Sequence, residues 1–282
     1  MKKFVLNLVC NDNTGIISAV TSFVTESGGN IIESGQHVDL DDKRFFMRLC
    51  FEINETVTLE TFKMDFEARL SYPEMVWDVY DLSVKPRVMI MVSQLGHCLN
   101  DLLYRYSIDQ LPMELVSIAS NHERYKSRVE HEGLDFHYLP ITAETKPEQE
   151  AELLKLIAEQ SIDLVILARY MQVLSDNLCQ KMSGKIINIH HSFLPSFKGG
   201  RPYHQARDKG VKLIGATAHY VTADLDEGPI IEQDVKRVDH AVSASDMVAI
   251  GRDTESQVLA KAVKLQLERR ILLHGHRTVI FQ

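Results

Sequence analysis

Two short stretches carry side chains suited to acyl chemistry. The first is Ile186-Ile187-Asn188-Ile189-His190-His191-Ser192-Phe193-Leu194-Pro195-Ser196-Phe197-Lys198-Gly199-Gly200. Asn188 and His190 stand two residues apart, and on a strand residues so spaced project from one face. An amide and a protonated imidazole aimed together can donate hydrogen bonds to an oxygen that becomes negative when a carbonyl carbon is attacked. The plainer alternative is two polar residues at a strand end, satisfied by nearby backbone. The second stretch, Thr217 to Ile230, reads as a strand, a turn holding Asp224, Asp226 and Glu227, and a further strand through Ile231, Glu232, Gln233 and Val235. Turn acids usually face solvent or bond their own backbone, which is the expectation for Asp224 and Glu227. Asp226 directly precedes Glu227-Gly228-Pro229, where the chain must turn sharply, so its carboxylate can be held facing inward.

These side chains need a sheet to position them. Ile186, Ile187 and Ile189 are β-branched and suit a strand buried on both faces of a parallel sheet. Strands are predicted at Arg87–Ser93, Met113–Ala119, Phe136–Leu139, Asp163–Leu167 and Lys185–His190. They alternate with helices near Gly96–Tyr106, His122–His131, Pro147–Gln160 and Ser175–Met182. That alternation implies an α/β domain with right-handed crossovers, and in open sheets of this kind ligands bind beyond the carboxyl ends of the strands. The two strands flanking Asp226 add an antiparallel end. Ser243-x-x-Asp246 reads as a capping box opening a helical region from Ser245 to Leu273, broken at Gly251; Gly275 closes it and Thr278–Phe281 forms a last short strand. The turn Ser93 to Asn100 has one glycine, Gly96, where a dinucleotide site needs three at fixed spacing. Nicotinamide and flavin are therefore not expected.

The first eighty or so residues follow another pattern. Strand Phe4–Val9, helix Gly15–Ser27, strands Ile31–Asp39 and Arg44–Ile53 around an Asp41-Asp42-Lys43 turn, helix Thr58–Leu70 and strand Met75–Tyr80 give the order βαββαβ. That order is ferredoxin-like. Asp12-x-x-Gly15-Ile16 at the first strand-to-helix turn resembles the ACT domain, a regulatory module that dimerises and binds small ligands near this turn. The resemblance implies Asp12, Asn13, Thr14, Gly15 and Ile16 as an effector site, since free amides at a helix start can hold a carboxylate. Asp12 or Asn13 acting only as a helix cap is the competing reading. Pro86 biases Lys85 toward extended backbone, making Ser83–Arg87 the linker between domains at 1–82 and 87–282.

Asn-x-His followed by Ser-x-Leu-Pro, with His-x-Val-Thr-x-x-x-Asp-x-Gly-Pro downstream, resembles the folate-dependent formyltransferase family. The resemblance implies a Rossmann-like fold with a mostly parallel sheet and a catalytic trio of Asn188, His190 and Asp226, with His219 in support. Ala168 to Ser175 is similar to the family's folate-contacting loop, implying substrate contacts from Arg169, Tyr170, Met171, Gln172, Val173 and Leu174. Read on its residues alone, that loop fits equally a hydrophobic segment covering the next helix. The ribonucleotide branch of the family carries a Gly-x-Gly-Ser-Asn turn that this sequence lacks. An ACT domain fused to a formyltransferase domain, with His190-His191, Phe193 and Lys198-Gly199-Gly200-Arg201-Pro202, is similar to the family's hydrolytic branch. This implies hydrolysis of 10-formyltetrahydrofolate to formate and tetrahydrofolate, serving purine synthesis and the one-carbon pool.

The remaining composition sets limits. Thirty-one basic against 39 acidic residues leave a net charge of −8, which argues against a nucleic-acid partner. No run approaches the ~20 apolar residues of a membrane span, and Phe4–Cys10 is too short for a signal peptide. Cys10, Cys50, Cys98 and Cys179 lack ligand-like spacing and suit a reduced, cytoplasmic protein. His190, His191, His204 and His219 raise zinc, but adjacent strand residues face opposite ways, so neither metal nor cofactor is expected. A small-molecule folate, a possible amino-acid effector and a homo-oligomer, as a dimer of dimers, complete the expectations.

Overall fold

The computed structural model describes residues 1–194 and 202–282. Pro195 to Arg201, which hold the last residues of the first motif and most of the Lys198–Pro202 stretch, lie outside the described residues. The chain forms two compact units, one of residues 1–85 with 268–282 and one of 86–267. The break after Lys85 falls within the expected linker. The second unit ends at Leu267, whereas the sequence placed everything from residue 87 to residue 282 in one domain.

The first unit runs β1 (Lys2–Asn11), α1 (Ile16–Glu26), β2 (Asn30–Asp39), β3 (Arg44–Ile53), α2 (Leu59–Arg69) and β4 (Val76–Asp81). Its antiparallel sheet has the order β2-β3-β1-β4. Strand alternation divides the residues between two faces. Phe4, Leu6 and Leu8 of β1 join Phe45, Met47, Leu49 and Phe51 of β3 in a core with Ile16, Val20 and Phe23 of α1 and Phe62 and Phe66 of α2. Asn7 and Arg48 fall on the other face. Gly15 caps α1 at φ 89° with no side-chain cap bond, so neither Asp12 nor Asn13 caps the helix.

The second unit runs β5 (Arg87–Val92), α3 (His97–Ser107), β6 (Glu114–Ser120), α4 (Lys126–His131), β7 (Asp135–Tyr138), α5 (Lys146–Glu159), β8 (Leu164–Leu167), α6 (Asp176–Lys181), β9 (Ile186–His190), α7 (Pro202–Asp208), β10 (Leu213–Tyr220), β11 (Ile230–Arg237) and α8 (Ala244–Leu267). The sheet order is β11-β10-β9-β8-β5-β6-β7. Strands β9, β8, β5, β6 and β7 are parallel, whereas β10 is antiparallel to both β9 and β11. The chain builds from β5 outward to β7, then returns to β8 on the other side, so strand order reverses between β5 and β8. Ligand crevices open at such a point. Among the described residues no helix is long and apolar enough to cross a membrane.

Several predicted elements are corrected. Helix α7 was not foreseen, and the region predicted as His122–His131 is a 3₁₀ turn at Glu123–Tyr125 followed by α4. Ser243 and Asp246 do form a reciprocal cap, with Asp246 N–H donating to Ser243 Oγ and Ser243 N–H to Asp246 Oδ2. However, α8 is not broken at Gly251. That glycine instead makes room, since a Cβ there would lie 2.1 Å from the Tyr203 ring. Nor does the helix reach Leu273.

Residues beyond the helix form a hairpin, β12 (Ile271–His274) and β13 (Arg277–Ile280), turning at Gly275 with φ 58°. This hairpin covers the sheet face of the first unit left bare by α1 and α2. Arg48, 3% exposed, donates to the carbonyls of Glu268 and Arg269 at 3.1 Å each, and Asn7 donates to the Arg269 carbonyl. Glu33 receives Arg48 at 3.1 Å and Arg270 at 2.7 Å. Phe281 lies over Gly35, where a Cβ would meet its ring at 2.6 Å. A periodicity argument over residues 1–82 could not reveal this, because the covering strands are distant in sequence.

Replacing Arg48 with Met should strip two carbonyls of their buried donor and destabilise the hairpin by about 2 kcal/mol. The hydrogen bond from Arg270, against the opposing effect of burial, holds the Glu33 carboxyl below its usual value. A group depressed in this way contributes stability above the unfolded value of ~4.3 that is lost as pH falls through the folded value. Amide exchange of residues 271–280, corrected for intrinsic rates, should accelerate in Arg48→Met and, in the wild type, as pH drops below about 4.

Candidate active site

The register between β9 and β10 assembles the site. Asn188 faces His219 and His190 faces Thr217 across the antiparallel pair, and directly opposed residues bring their side chains into contact. His219 Nδ1 donates to the Tyr220 carbonyl at 2.8 Å, which leaves Nε2 to accept from Asn188 Nδ2 at 3.3 Å. An amide nitrogen carries two protons, so Asn188 keeps one to direct elsewhere.

Asp226 closes the group from the turn between β10 and β11. Its carboxylate lies 3.2 Å from His190 Nδ1 and 3.7 Å from His219 Nε2. Burial alone would raise this carboxyl, but the hydrogen bond from His190 and the proximity of His219 outweigh it and hold the group well below the usual carboxylate range. Asp226 has φ 57°, a left-handed conformation in which Asp is more tolerated than most residues. Gly228 makes the turn possible, because a Cβ there would sit 1.8 Å from the Tyr220 carbonyl oxygen. The Tyr220 N–H donates to the Pro229 carbonyl at 2.9 Å. Asp224 and Glu227 are exposed, as expected for turn acids.

The loop after β8 supplies another wall. Met171 N–H donates to Ser93 Oγ at 3.0 Å, Gln149 reaches Tyr170 Oη at 3.3 Å and Glu150 accepts from Ser175 N–H at 2.8 Å. Both ends of the loop are thereby pinned, one to β5's end and both to α5. Burial pushes the Tyr170 phenol up to about 12, so it stays protonated. Met171 and Val173 are more than half exposed, whereas Arg169, Tyr170 and Leu174 are buried. Arg169 and Tyr170, grouped in sequence with the folate contacts, thus spend much of their polarity inside the protein.

One cavity of about 460 Å³ is lined by Arg169 to Leu174, Asn188, His190, His219 and Asp226 together. That volume suits a drug-sized ligand. His190 is 6% exposed, and its Nε2 has no partner among the described residues. Buried polar atoms are rarely left unmatched, and this one belongs to a residue that lines the cavity. The wall also holds His97, His191, Tyr203 and Glu255, of which sequence reasoning singled out only His191. Glu255 carried a legible signal: it shares the buried stripe of α8 with Gly251, Val258, Leu259 and Ala262, an unusual place for a carboxylate. The residues proposed as an effector site belong to the first unit; Asp12 to Gly15 are exposed and Ile16 is buried.

Residues 86–263 match the formyl transferase family. Formyltetrahydrofolate deformylase of a Corynebacterium species (strain P-1) is 47% identical over 281 residues, which span 99% of this chain and 98% of that protein. The chain belongs to the formyltetrahydrofolate deformylase family. A crystal structure of the Burkholderia mallei deformylase superposes with a TM-score of 0.95 at 46% identity, covering all of both chains. Glycinamide ribonucleotide transformylase 1 from Symbiobacterium toebii is more distant, at 28% identity and a TM-score of 0.67 over 72% of this chain and 97% of that one. Membership in the deformylase family therefore extends over both units.

Gly228 is a direct test of how this deformylase-family site is built. Gly228→Ala places a methyl group against a backbone oxygen, so the turn must shift and carry Asp226 with it. Displacing a reacting group by about 1 Å can cost roughly 10²-fold, and turnover should fall by at least that much while circular dichroism stays native.

Proposed function

We propose that this chain hydrolyses 10-formyltetrahydrofolate to formate and tetrahydrofolate, with Asn188, His190 and Asp226 as the catalytic groups. The observation that carries this reading is the meeting of an amide, an imidazole and a carboxylate on one cavity, with His190 Nε2 buried and without a hydrogen-bond partner among the described residues. Water oxygen attacks the formyl carbon, the second N–H of Asn188 and His190 Nε2–H donate to the oxygen that becomes negative, and the C–N10 bond then breaks. Asp226 lies at hydrogen-bond distance from His190 Nδ1, and its ionised form is the counter-charge an imidazolium there requires. Held so far below its ordinary range, this carboxylate does not retain a proton at neutral pH. It takes one from water as the new C–O bond forms and passes it toward N10, so that formate leaves and tetrahydrofolate regains its N–H. Side-chain acid–base chemistry balances every step, and we assign no metal or cofactor.

The folate ring system fits against Met171, Gln172 and Val173, where apolar side chains and exposed backbone suit a flat ring read at its edge. His219 orients Asn188 instead of touching the reacting carbon. In the first unit we propose an ACT module whose Asp12–Ile16 turn takes an amino-acid effector, with glycine and methionine first to try. Its long edge strand β2, of which half the residues are exposed and none is buried, is the surface that a second copy of the chain would cover. A dimer of dimers in the cytoplasm, supplying formate for purine synthesis, completes the proposal.

With only 10-formyltetrahydrofolate and water present, the chain should release formate stoichiometrically; dependence on an added amine would instead indicate a formyltransferase. Asp226→Asn should lower turnover by roughly 10²–10⁴-fold and Asn188→Ala by about 10²–10³-fold, whereas Asp224→Asn and Glu227→Gln stay near wild type. Light scattering at micromolar concentration should give a mass above that of one 32.1 kDa chain, and glycine or methionine should raise the melting temperature of the wild type but not of Asp12→Ala.

A further inference from the structure

Behind the proposed trio lies a chain of buried charges. Glu255, on the inner face of α8, is 1% exposed. An ionised carboxylate so placed is costly unless hydrogen-bond partners and a counter-charge surround it. Tyr203 and His97 are the hydrogen-bond partners, and Arg169 is an ion-pair partner whose Nε makes no hydrogen bond of its own among the described residues. Tyr203 Oη donates to Oε1 at 2.7 Å, His97 Nε2 lies 2.7 Å from Oε2, and Arg169 Nε lies 3.4 Å from the same oxygen. Burial would raise this carboxyl, but His97, Arg169 and Tyr203 together hold it below its usual value, so the charge persists. The construction reaches into the backbone. Gly251, one turn earlier on α8, leaves the space through which the Tyr203 ring passes.

Arg169 carries the effect onward. It is 8% exposed with φ 64°, a left-handed conformation that costs a side-chain-bearing residue about 1 kcal/mol or more and persists only where surrounding contacts enforce it. Its Nη1 stands 2.6 Å from His191 Nδ1. A guanidinium has donors only, so His191 Nδ1 must accept, which fixes that ring as the neutral tautomer protonated on Nε2. The same ring stacks on His190 with centroids 4.9 Å apart and planes 19° from parallel. His190 is the cavity-lining residue whose Nδ1 meets Asp226 and whose Nε2 is buried without a hydrogen-bond partner among the described residues.

We propose that Glu255 is a positioning residue for the reaction, acting through Arg169 to lock the His191 ring in one tautomer and one plane against His190. The proposal rests on the hydrolytic reading of the site, but its structural arm does not. Without the carboxylate, Arg169 becomes a buried cation with no counter-charge and moves toward solvent. His191 then loses the donor at Nδ1 that selects its tautomer, so the ring can exchange tautomers or take up a second proton, and the surface it presents to His190 changes. Folate contacts on Met171 and Val173 are not part of this chain of interactions. The loss should therefore fall on kcat more than on KM, which a role in folding alone would not produce.

The decisive variant is Glu255→Gln in the full-length chain, which keeps shape and an acceptor for Tyr203 while removing the charge. In the folded variant kcat should fall by roughly 10–10²-fold, the scale of small misplacements of a reacting group, with KM changed less than about 3-fold. Nitrogen-15 spectra of the histidine side chains, assigned by comparison with His191→Gln, should show His191 of the wild type with Nε2 protonated and Nδ1 bare, and this signature should be lost in Glu255→Gln. A folded variant that keeps wild-type kcat, or loses kcat with the His191 signature intact, overturns the proposal. If Glu255→Gln fails to fold, Arg169→Lys provides the same test, because an ammonium cannot face Glu255 and His191 at once; retention of the signature there also overturns it. Failure of the wild type to release formate would sink the hydrolytic reading while leaving the tautomer measurement to judge the Glu255–Arg169–His191 linkage.

Discussion

The antiparallel pairing of β9 with β10 is the constraint on which the site depends. Four residue pairs, from Thr217 opposite His190 to Tyr220 opposite Ile187, determine that His219 meets Asn188. They also set where the β10–β11 turn emerges, and hence where Asp226 arrives. A slip of one residue would send every side chain of β10 to the opposite face. Several bonds oppose that slip: Thr217 Oγ1, fully buried, donates to the Ser192 carbonyl at 2.9 Å, accepts from Leu194 N–H at 3.1 Å and receives Gln233 Nε2 at 2.9 Å. The strand that carries the proposed chemistry and the loop leaving it are thus held from two neighbouring strands.

Charge is distributed around the cavity in two layers. Asp226, between two histidines, is partly solvated and belongs to the layer proposed to react. Glu255 is sealed behind it with Arg169, Tyr203 and His97. Buried ion pairs contribute little net stability by themselves, since desolvation offsets attraction, but losing one partner is strongly destabilising. What such a pair can supply is fixed geometry. The left-handed backbone at both Arg169 and Asp226 fits this picture, because strain tends to gather where surrounding contacts over-determine a side chain's direction.

The N-terminal unit shows a different economy. Helices α1 and α2 cover one face of its sheet, and the chain's own last residues cover part of the other through Arg48, Asn7 and Gly35. Removing residues 1–82 would therefore leave 268–282 without the sheet they bind, so that truncation does not cut the chain at a natural boundary. What remains open is an edge more than a face, with β2 at one side and β4 at the other.

The sequence by itself determined most of the elements that frame the site and the class of chemistry. Apolar runs at Arg87–Val92 and Ile186–His190, alternation in β1 and β3, and the spacing of Asn188, His190 and Asp226 are local, and local pattern governs secondary structure and face. It also exposed Asp226 as the inward acid, because Gly-Pro after it enforces a turn whose tightness is now visible at Gly228. Only tertiary structure decided the rest. The pairing of Asn188 with His219 depends on strand register, which no single strand encodes. The Glu255–Arg169–His191 linkage joins α8, the loop after β8 and the end of β9, three segments whose meeting follows from sheet order. The placement of residues 268–282 on the first unit, and the unbroken course of α8 past Gly251, were likewise hidden, since each depends on a side chain, Arg48 or Tyr203, contributed from far along the chain.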